Sequence, residues 1–383
     1  MISLPSPSPE QLAHSADVAA AIRTEIAMSG GWIGFSRFME MALYAPGLGY
    51  YSAGMQKFGS GGDFVTAPEI SSLFSRTLAR QVAQVVKASD GDIMELGAGT
   101  GRLAAQLLAE LQRINALPVR YFILEVSAHL RAVQRETVWR ELPEALASRV
   151  EWLEALPEGF AGCMLGNEVL DALPVHLVAQ REDGLRERGV SVQDNVFVWR
   201  EQAVDGALAD AAQALALPQG YVTEICPAAP ALIASLAERL QHGALILIDY
   251  GFPRREYYHP QRSGGTLMCH YRHHAHDDPF LYPGLQDITA HVDFTSVAEA
   301  GVAHGLHVSG YVSQAQFLIN SGITDVLAQV SPGDAAAYLP LAAEAQKLIS
   351  PAEMGELFKV IALSKGLGEP LLGFARGDKR HTL

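Results

Sequence analysis

Apolar positions along this chain recur with two periods, and the alternation between them predicts its elements. Leu12, Val18, Ile22 and Ile26 fall roughly on one side of a helix over Pro9–Met28, which Gly30 and Gly31 end. A second short helix covers residues 35–43, and a loop follows through Tyr50 and Tyr51. The glycine-rich segment 58–71 leads into a third helix, from Pro68 to about residue 87. Proline at a first helical position and Glu69 in the first turn are start signals. The period then shortens. Ile93, Met94 and Leu96 make a buried strand, Gly97, Gly99 and Gly101 a tight turn, and Leu103, Leu107, Leu108 and Leu111 one face of a helix. Further strands are predicted at 119–125, 149–153, 161–166 and 358–363, with a helix over 130–139. A strand at 221–226 is followed by a helix over 227–242. The strongest strand signal, 244–251, reads as a central parallel strand.

Strands alternating with helices predict an α/β protein built on a parallel sheet. Residues 175–202 instead alternate strictly, which predicts an inserted antiparallel β-ribbon. Residues 252–283 form a long loop rich in Arg, Tyr, His and Gly, a lid by its length. Asp287 or Thr289 then caps a helix to about residue 304, and helices follow at 313–320 and 334–349. The expected division is a helical N-terminal cap over 1–90 and a core over 91–383, with insertions near 175–222 and 252–350. No internal repeat or low-complexity tract appears.

Composition narrows the function classes. With 383 residues, 49% hydrophobic and only 18% charged, the chain is globular rather than disordered. A net charge of −14 disfavours nucleic acid and suits a cationic substrate, although acidity is common enough to decide little. Cys163, Cys226 and Cys269 are odd in number and far apart with no CxxC pair, which weighs against a disulfide framework or zinc knuckle. The histidines between Cys269 and Asp278 are crowded and lack a distant partner motif, so no metal is expected. The first ten residues show no basic n-region or apolar core, and no apolar run reaches membrane-spanning length. Those features predict a cytoplasmic protein without a membrane span.

The candidate chemistry sits at strand ends. The glycine turn brings a ligand close to bare backbone at a helix N-terminus. Its spacing is G-x-G-x-G, and Arg102 stands where the dinucleotide fingerprint has its third glycine, which argues against a dehydrogenase. Glu125 ends the next strand, 24 positions beyond Gly101, where an acid binds ribose hydroxyls; the alternative is a helix cap near Ser127. Asn167, Glu168 and Asp171 place an amide and two carboxylates at the end of the 161–166 strand. They read as binding groups, as a capped helix start, or as both together. Asp249 ends the 244–251 run in an acid. His291, among acids after the lid, is either a pocket imidazole or a structural one.

Glu95 through Gly101, E-x-G-x-G-x-G, resembles the first motif of the class I S-adenosylmethionine (SAM) methyltransferases. Residues 62–71 (GDFVTAPEIS), 167–174 (NEVLDALP) and 287–294 (DITAHVDF) join it in order, and the four together resemble the MidA-type methyltransferases. That family includes the mitochondrial complex I assembly methyltransferase, and the resemblance covers nearly the whole chain. It implies a class I, Rossmann-like sheet with a helical N-terminal region, SAM as cofactor and a protein acceptor. The mitochondrial member methylates arginine in a complex I subunit; this chain differs from it at the start, where no transit peptide is visible. The roles implied are Glu95, Gly97, Gly99, Gly101 and Glu125 on the cofactor, with Asn167 at its amino-acid end. Glu168 and Asp171 would grip a guanidinium, with His291 beside them in catalysis, and Phe64, Thr66, Glu69 and Asp249 would shape the acceptor pocket. The alternatives are a small-molecule methyltransferase and a non-catalytic SAM-binding assembly factor.

Overall fold

The structure is a computed structural model that describes residues 4–53 and 66–383. The chain divides into two compact units: one of Met1–Phe64, Asp171–Ala229 and Arg254–His291, and a larger one of Val65–Leu170, Pro230–Pro253 and Val292–Leu383.

The larger unit is built on an eight-stranded sheet. Its strands are β1 (Asp92–Leu96), β2 (Tyr121–Leu124), β3 (Val150–Leu153), β4 (Phe160–Asn167), β5 (Leu240–Phe252), β6 (Val292–Asp293), β7 (His307–Ser313) and β8 (Phe358–Lys365). They lie in the order β3-β2-β1-β4-β5-β8-β7, with β6 beside the end of β5. β8 runs antiparallel to both neighbours, and the β1–β5 pairings are all parallel. Helices α1 (Ser72–Ser89), α2 (Arg102–Arg113) and α3 (Ala128–Glu141) belong to this unit. α1 buries Phe74, Leu78, Val82 and Val85, and α2 buries Leu103, Leu107, Leu108 and Leu111, in one core with Ile93, Cys163 and Ile246 of the sheet. This is the expected Rossmann-like α/β sheet. Chain order reverses between β1 and β4, which creates the crevice at the carboxyl ends of the strands where such folds bind ligands.

Three details differ from the sequence reading. The helix expected from Pro68 is broken at Ser71, whose extended backbone (φ −155°) ends Ala67–Ile70 and whose Oγ accepts the Leu73 N–H to start α1. β7 was not anticipated at all. Asp287 and Thr289 do not cap a helix: they lie in a strand, and Asp293 caps the Phe294–Ala303 helix by accepting N–H bonds from Thr295 and Ser296.

In the smaller unit the Pro9–Met28 helix starts on a capping box between Ser8 and Gln11. Its Val18, Ile22 and Ile26 share a core with Phe35, Phe38 and Met39 of the Phe35–Tyr44 helix and with Leu177, Val190 and Phe197. The last three come from the ribbon, whose strands His176–Arg181, Gly184–Gln193 and Val196–Ala203 form an antiparallel sheet with Ile33–Gly34 and Val222–Ile225. Its second turn carries Asp194 and Asn195 at φ 49° and 64°, the two positive values of a hairpin turn matched to strand twist. The expected lid also contains strands, Met268–Tyr271 and His274–His276, which form a three-stranded sheet with Asp287–Thr289. Among the described residues no group of three or more His, Cys, Asp or Glu side chains is arranged around a common point. Nor is any helix there long and apolar enough to cross a membrane.

Candidate active site

The turn after β1 holds Gly97, Gly99 and Gly101 at φ 60°, 52° and 83°, a conformation other residues adopt only with strain. A Cβ on Gly101 would also stand 3.0 Å from Cα and 3.1 Å from O of Gln134, so this glycine lets α3 press against the turn. Glu69 fastens the turn from outside. It accepts from Thr100 Oγ1 at 2.6 Å and from Arg102 Nη1 at 3.1 Å. The arginine that breaks the dinucleotide fingerprint thus ties the loop to the Ala67–Ile70 helix. Thr66 is the N-cap of that helix but makes no side-chain cap bond. Phe64 lies outside the described residues.

Glu95 is 2% exposed inside β1 and accepts from Tyr121 Oη at 2.7 Å. Burial pushes its carboxyl up to about 7, with the Tyr121 bond opposing. The protonated form is therefore favoured by folding. Stability contributed by Glu95 is full below the ordinary carboxylate range and falls as pH rises from about 4.5 to 7. Relative to Glu95→Gln, wild type should lose on the order of 3 kcal/mol over that interval, read as the divergence of two urea-denaturation series. Parallel series would contradict it.

Glu125, just past β2, is buried, and its carboxyl is raised by desolvation. One oxygen accepts the Ser127 N–H at 2.8 Å and the other Gln134 Nε2 at 3.0 Å. Ser127, rather than Glu125, is the N-cap of α3, accepting from Leu130 N. At the end of β4, no helix begins at Asn167; the chain turns, so the capped-helix alternative does not hold. Asn167 Nδ2 donates to Glu168 Oε1 at 2.9 Å, while its buried Oδ1 has no hydrogen-bond partner among the described residues. Glu168 adopts φ 55°, uncommon for a non-glycine residue, and its N–H is fixed on Ile248 O at 2.8 Å.

Asp249, 1% exposed, braces this turn from β5. Its Oδ2 accepts from Val169 N (3.2 Å) and Leu170 N (2.9 Å), and its Oδ1 from Tyr250 N (2.9 Å). Asp249→Ala orphans these donors and should cost about 3 kcal/mol, seen as a lower urea midpoint with unchanged m. A change below about 0.5 kcal/mol, the size of an ordinary surface substitution, would contradict the bracing role.

Asp171 and His291 belong to the smaller unit. Asp171 is buried and its carbonyl accepts from Ala290 N at 2.9 Å; His291 N donates to Thr266 Oγ1 at 3.0 Å. Tyr51 stacks on Tyr44 in that unit, centroids 5.4 Å apart, and donates to Asp287 Oδ1 at 2.9 Å. Burial first, then the charges of Asp287 and Asp171, keep the Tyr51 phenol protonated.

The sheet and its glycine crevice define a nucleotide-type ligand site of a doubly wound protein. The model of the family described as "Putative S-adenosyl-L-methionine-dependent methyltransferase" matches residues 77–312, and the chain belongs to this family. A crystal structure of a superfamily member from Burkholderia thailandensis bound to S-adenosyl-homocysteine is 56% identical, with TM-score 0.97 over 100% of both chains. A native structure from the same organism is 55% identical with TM-score 0.94. The mouse protein named "Protein arginine methyltransferase NDUFAF7, mitochondrial" is 30% identical over 375 residues, 88% of this chain and 81% of the relative. Its zebrafish counterpart is 29% identical over 369 residues, 87% and 83% of the two chains. The protein is a SAM-dependent methyltransferase. The cytoplasmic location expected from the N-terminus is corrected: the curated relatives are named mitochondrial.

The residues present fit this cofactor. A vicinal diol needs a paired acceptor, which the Glu125 carboxylate offers. An α-ammonium needs an acceptor such as the buried Asn167 Oδ1, and a close approach to backbone needs the glycine turn.

Proposed function

We propose that this enzyme methylates arginine side chains of a protein. The observation that carries the proposal is the alignment along more than four-fifths of both chains with relatives named protein arginine methyltransferases. The Glu168 carboxylate, held in a left-handed backbone at the sheet's ligand edge, supports it. The cofactor supplies an electrophilic methyl group on a sulfonium when bound. Gly97, Gly99 and Gly101 leave room for it, Glu125 takes the ribose hydroxyls, and Asn167 Oδ1 takes the amino-acid end. Glu168 accepts N–H bonds from the guanidinium, orients a nitrogen lone pair toward the methyl group, and offsets the charge of the acceptor. The proton that the guanidinium nitrogen loses on methylation passes to a carboxylate or to water. Glu69 and Asp249 hold the two loops in shape, and Glu95, bonded to Tyr121 inside β1, supports the glycine turn that follows it. Asp171 and His291 are proposed for the acceptor on their chemistry alone, a carboxylate for a cation and an imidazole for a proton. A complex I subunit as acceptor rests on the family resemblance only.

The test is to incubate the enzyme with methyl-labelled SAM and an extract of its source, then precipitate the macromolecules. Label in a protein band is expected; label confined to the soluble small molecules would replace this reading with a metabolite methyltransferase.

A further inference from the structure

Gln134 is a polar side chain that is 0% exposed in the larger unit, midway along α3. Both of its amide protons and one lone pair of its oxygen are engaged. Nε2 donates to Glu125 Oε2 at 3.0 Å and to the Gly99 carbonyl at 3.2 Å, and Oε1 accepts from Trp152 Nε1 at 3.0 Å. The orientation of the amide is dictated by its partners. Indole is a donor only, and carboxylate and carbonyl are acceptors only, so a flipped amide would lose all three bonds. Trp152 is itself held on β3, with the Arg135 guanidinium 4.9 Å over its ring. One side chain therefore joins the end of β2, the glycine turn and β3.

We propose that Gln134 is a positioning residue that fixes the plane of the Glu125 carboxylate for the cofactor ribose; this rests on the ribose role of Glu125. A carboxylate rotates freely about its last torsion. Here Ser127 N holds one oxygen and Gln134 the other, each from the protein side, so both oxygens keep a lone pair for a vicinal diol. The same amide sets the distance from that carboxylate to the Gly99 carbonyl. The ribose and the glycine turn are thus registered before the ligand arrives, which lowers the ordering cost of binding.

Calorimetry of S-adenosylhomocysteine and its 2′,3′-dideoxyribose analogue tests this on wild type, Glu125→Ala, Gln134→Leu and Trp152→Phe. Wild type should prefer the natural ribose, and Glu125→Ala should erase that preference. Gln134→Leu should reduce the preference about tenfold, the loss of one charge-assisted bond geometry, while affinity for the analogue changes little. Trp152→Phe, which frees the far end of the amide, should reduce it about threefold. Equal weakening of both ligands by Gln134→Leu, with Glu125→Ala no longer selective for ribose, overturns the positioning role. Equal weakening by Glu125→Ala overturns the ribose assignment and the inference with it. If Gln134→Leu does not fold, Trp152→Phe decides, and an unchanged preference overturns the proposal.

Discussion

Gly99→Val yields a folded protein that no longer binds S-adenosylhomocysteine. Gly99 stands at φ 52°, and a β-branched residue there costs about 1–2 kcal/mol of backbone strain. The larger effect is on the ligand. The turn is bare backbone at the carboxyl end of β1, between Gly97 and Gly101 and linked to Glu125 through Gln134, and a valine fills the approach that the glycines keep open. Strain can also shift the Gly99 carbonyl from Gln134 and so loosen Glu125. Affinity should fall at least about a hundredfold, near 3 kcal/mol, while the fold survives with a modest loss in melting temperature. Calorimetry measures the first and thermal unfolding without ligand the second. Near-native affinity in the folded variant would remove the glycine turn from the cofactor site.

Glu168→Gln separates binding from transfer. The amide is isosteric and its oxygen can still accept from Asn167 Nδ2, so the turn braced by Asp249 and by the Glu168 N–H on Ile248 should persist. What disappears is the negative charge proposed to face a guanidinium. Cofactor affinity should stay within about threefold, whereas transfer of labelled methyl to protein should fall about a hundredfold to a thousandfold, the usual size of losing a charged contact made in the transition state. Unchanged transfer would eliminate Glu168 from the chemistry, and equal losses in affinity and rate would make it a structural residue of the turn.

How far the chain could be read in advance follows from what each element buries. β1 and β5 announce themselves as apolar runs because both faces of a central parallel strand are covered. β7 escapes notice because it is an edge strand, pairing among the described residues only with β8 and shifting register between Val308 and Gly310, which breaks its alternation. The motif 287–294 shows why local signals mislead. Asp287 and Thr289 look like caps, yet their backbone is taken by the Met268–Tyr271 strand, a pairing set by residues about twenty positions away. Spacing led to the expectation of a tight glycine turn after β1 and an acid at the end of β2, and the structure places Gly97, Gly99 and Gly101 at positive φ in that turn and Glu125 just past β2. The partners of Glu69 and Asp249 were not legible: a carboxylate's neighbours Thr100 and Arg102, or the Val169 and Leu170 amides, come from other strand ends. Gln134 left no trace, since a polar residue amid polar neighbours on a helix reads as solvent-facing until Trp152 and Glu125 are placed against it.

The central claim is arginine as the methyl acceptor, and hydrolysis of the labelled protein tests it most directly. After transfer from methyl-labelled SAM, the labelled band is digested to amino acids and separated. The account predicts label eluting as Nω-methylated arginine, and none of it from an enzyme carrying Gly99→Val. Label eluting as methylated lysine or histidine, or lost as methanol from an ester, would contradict it.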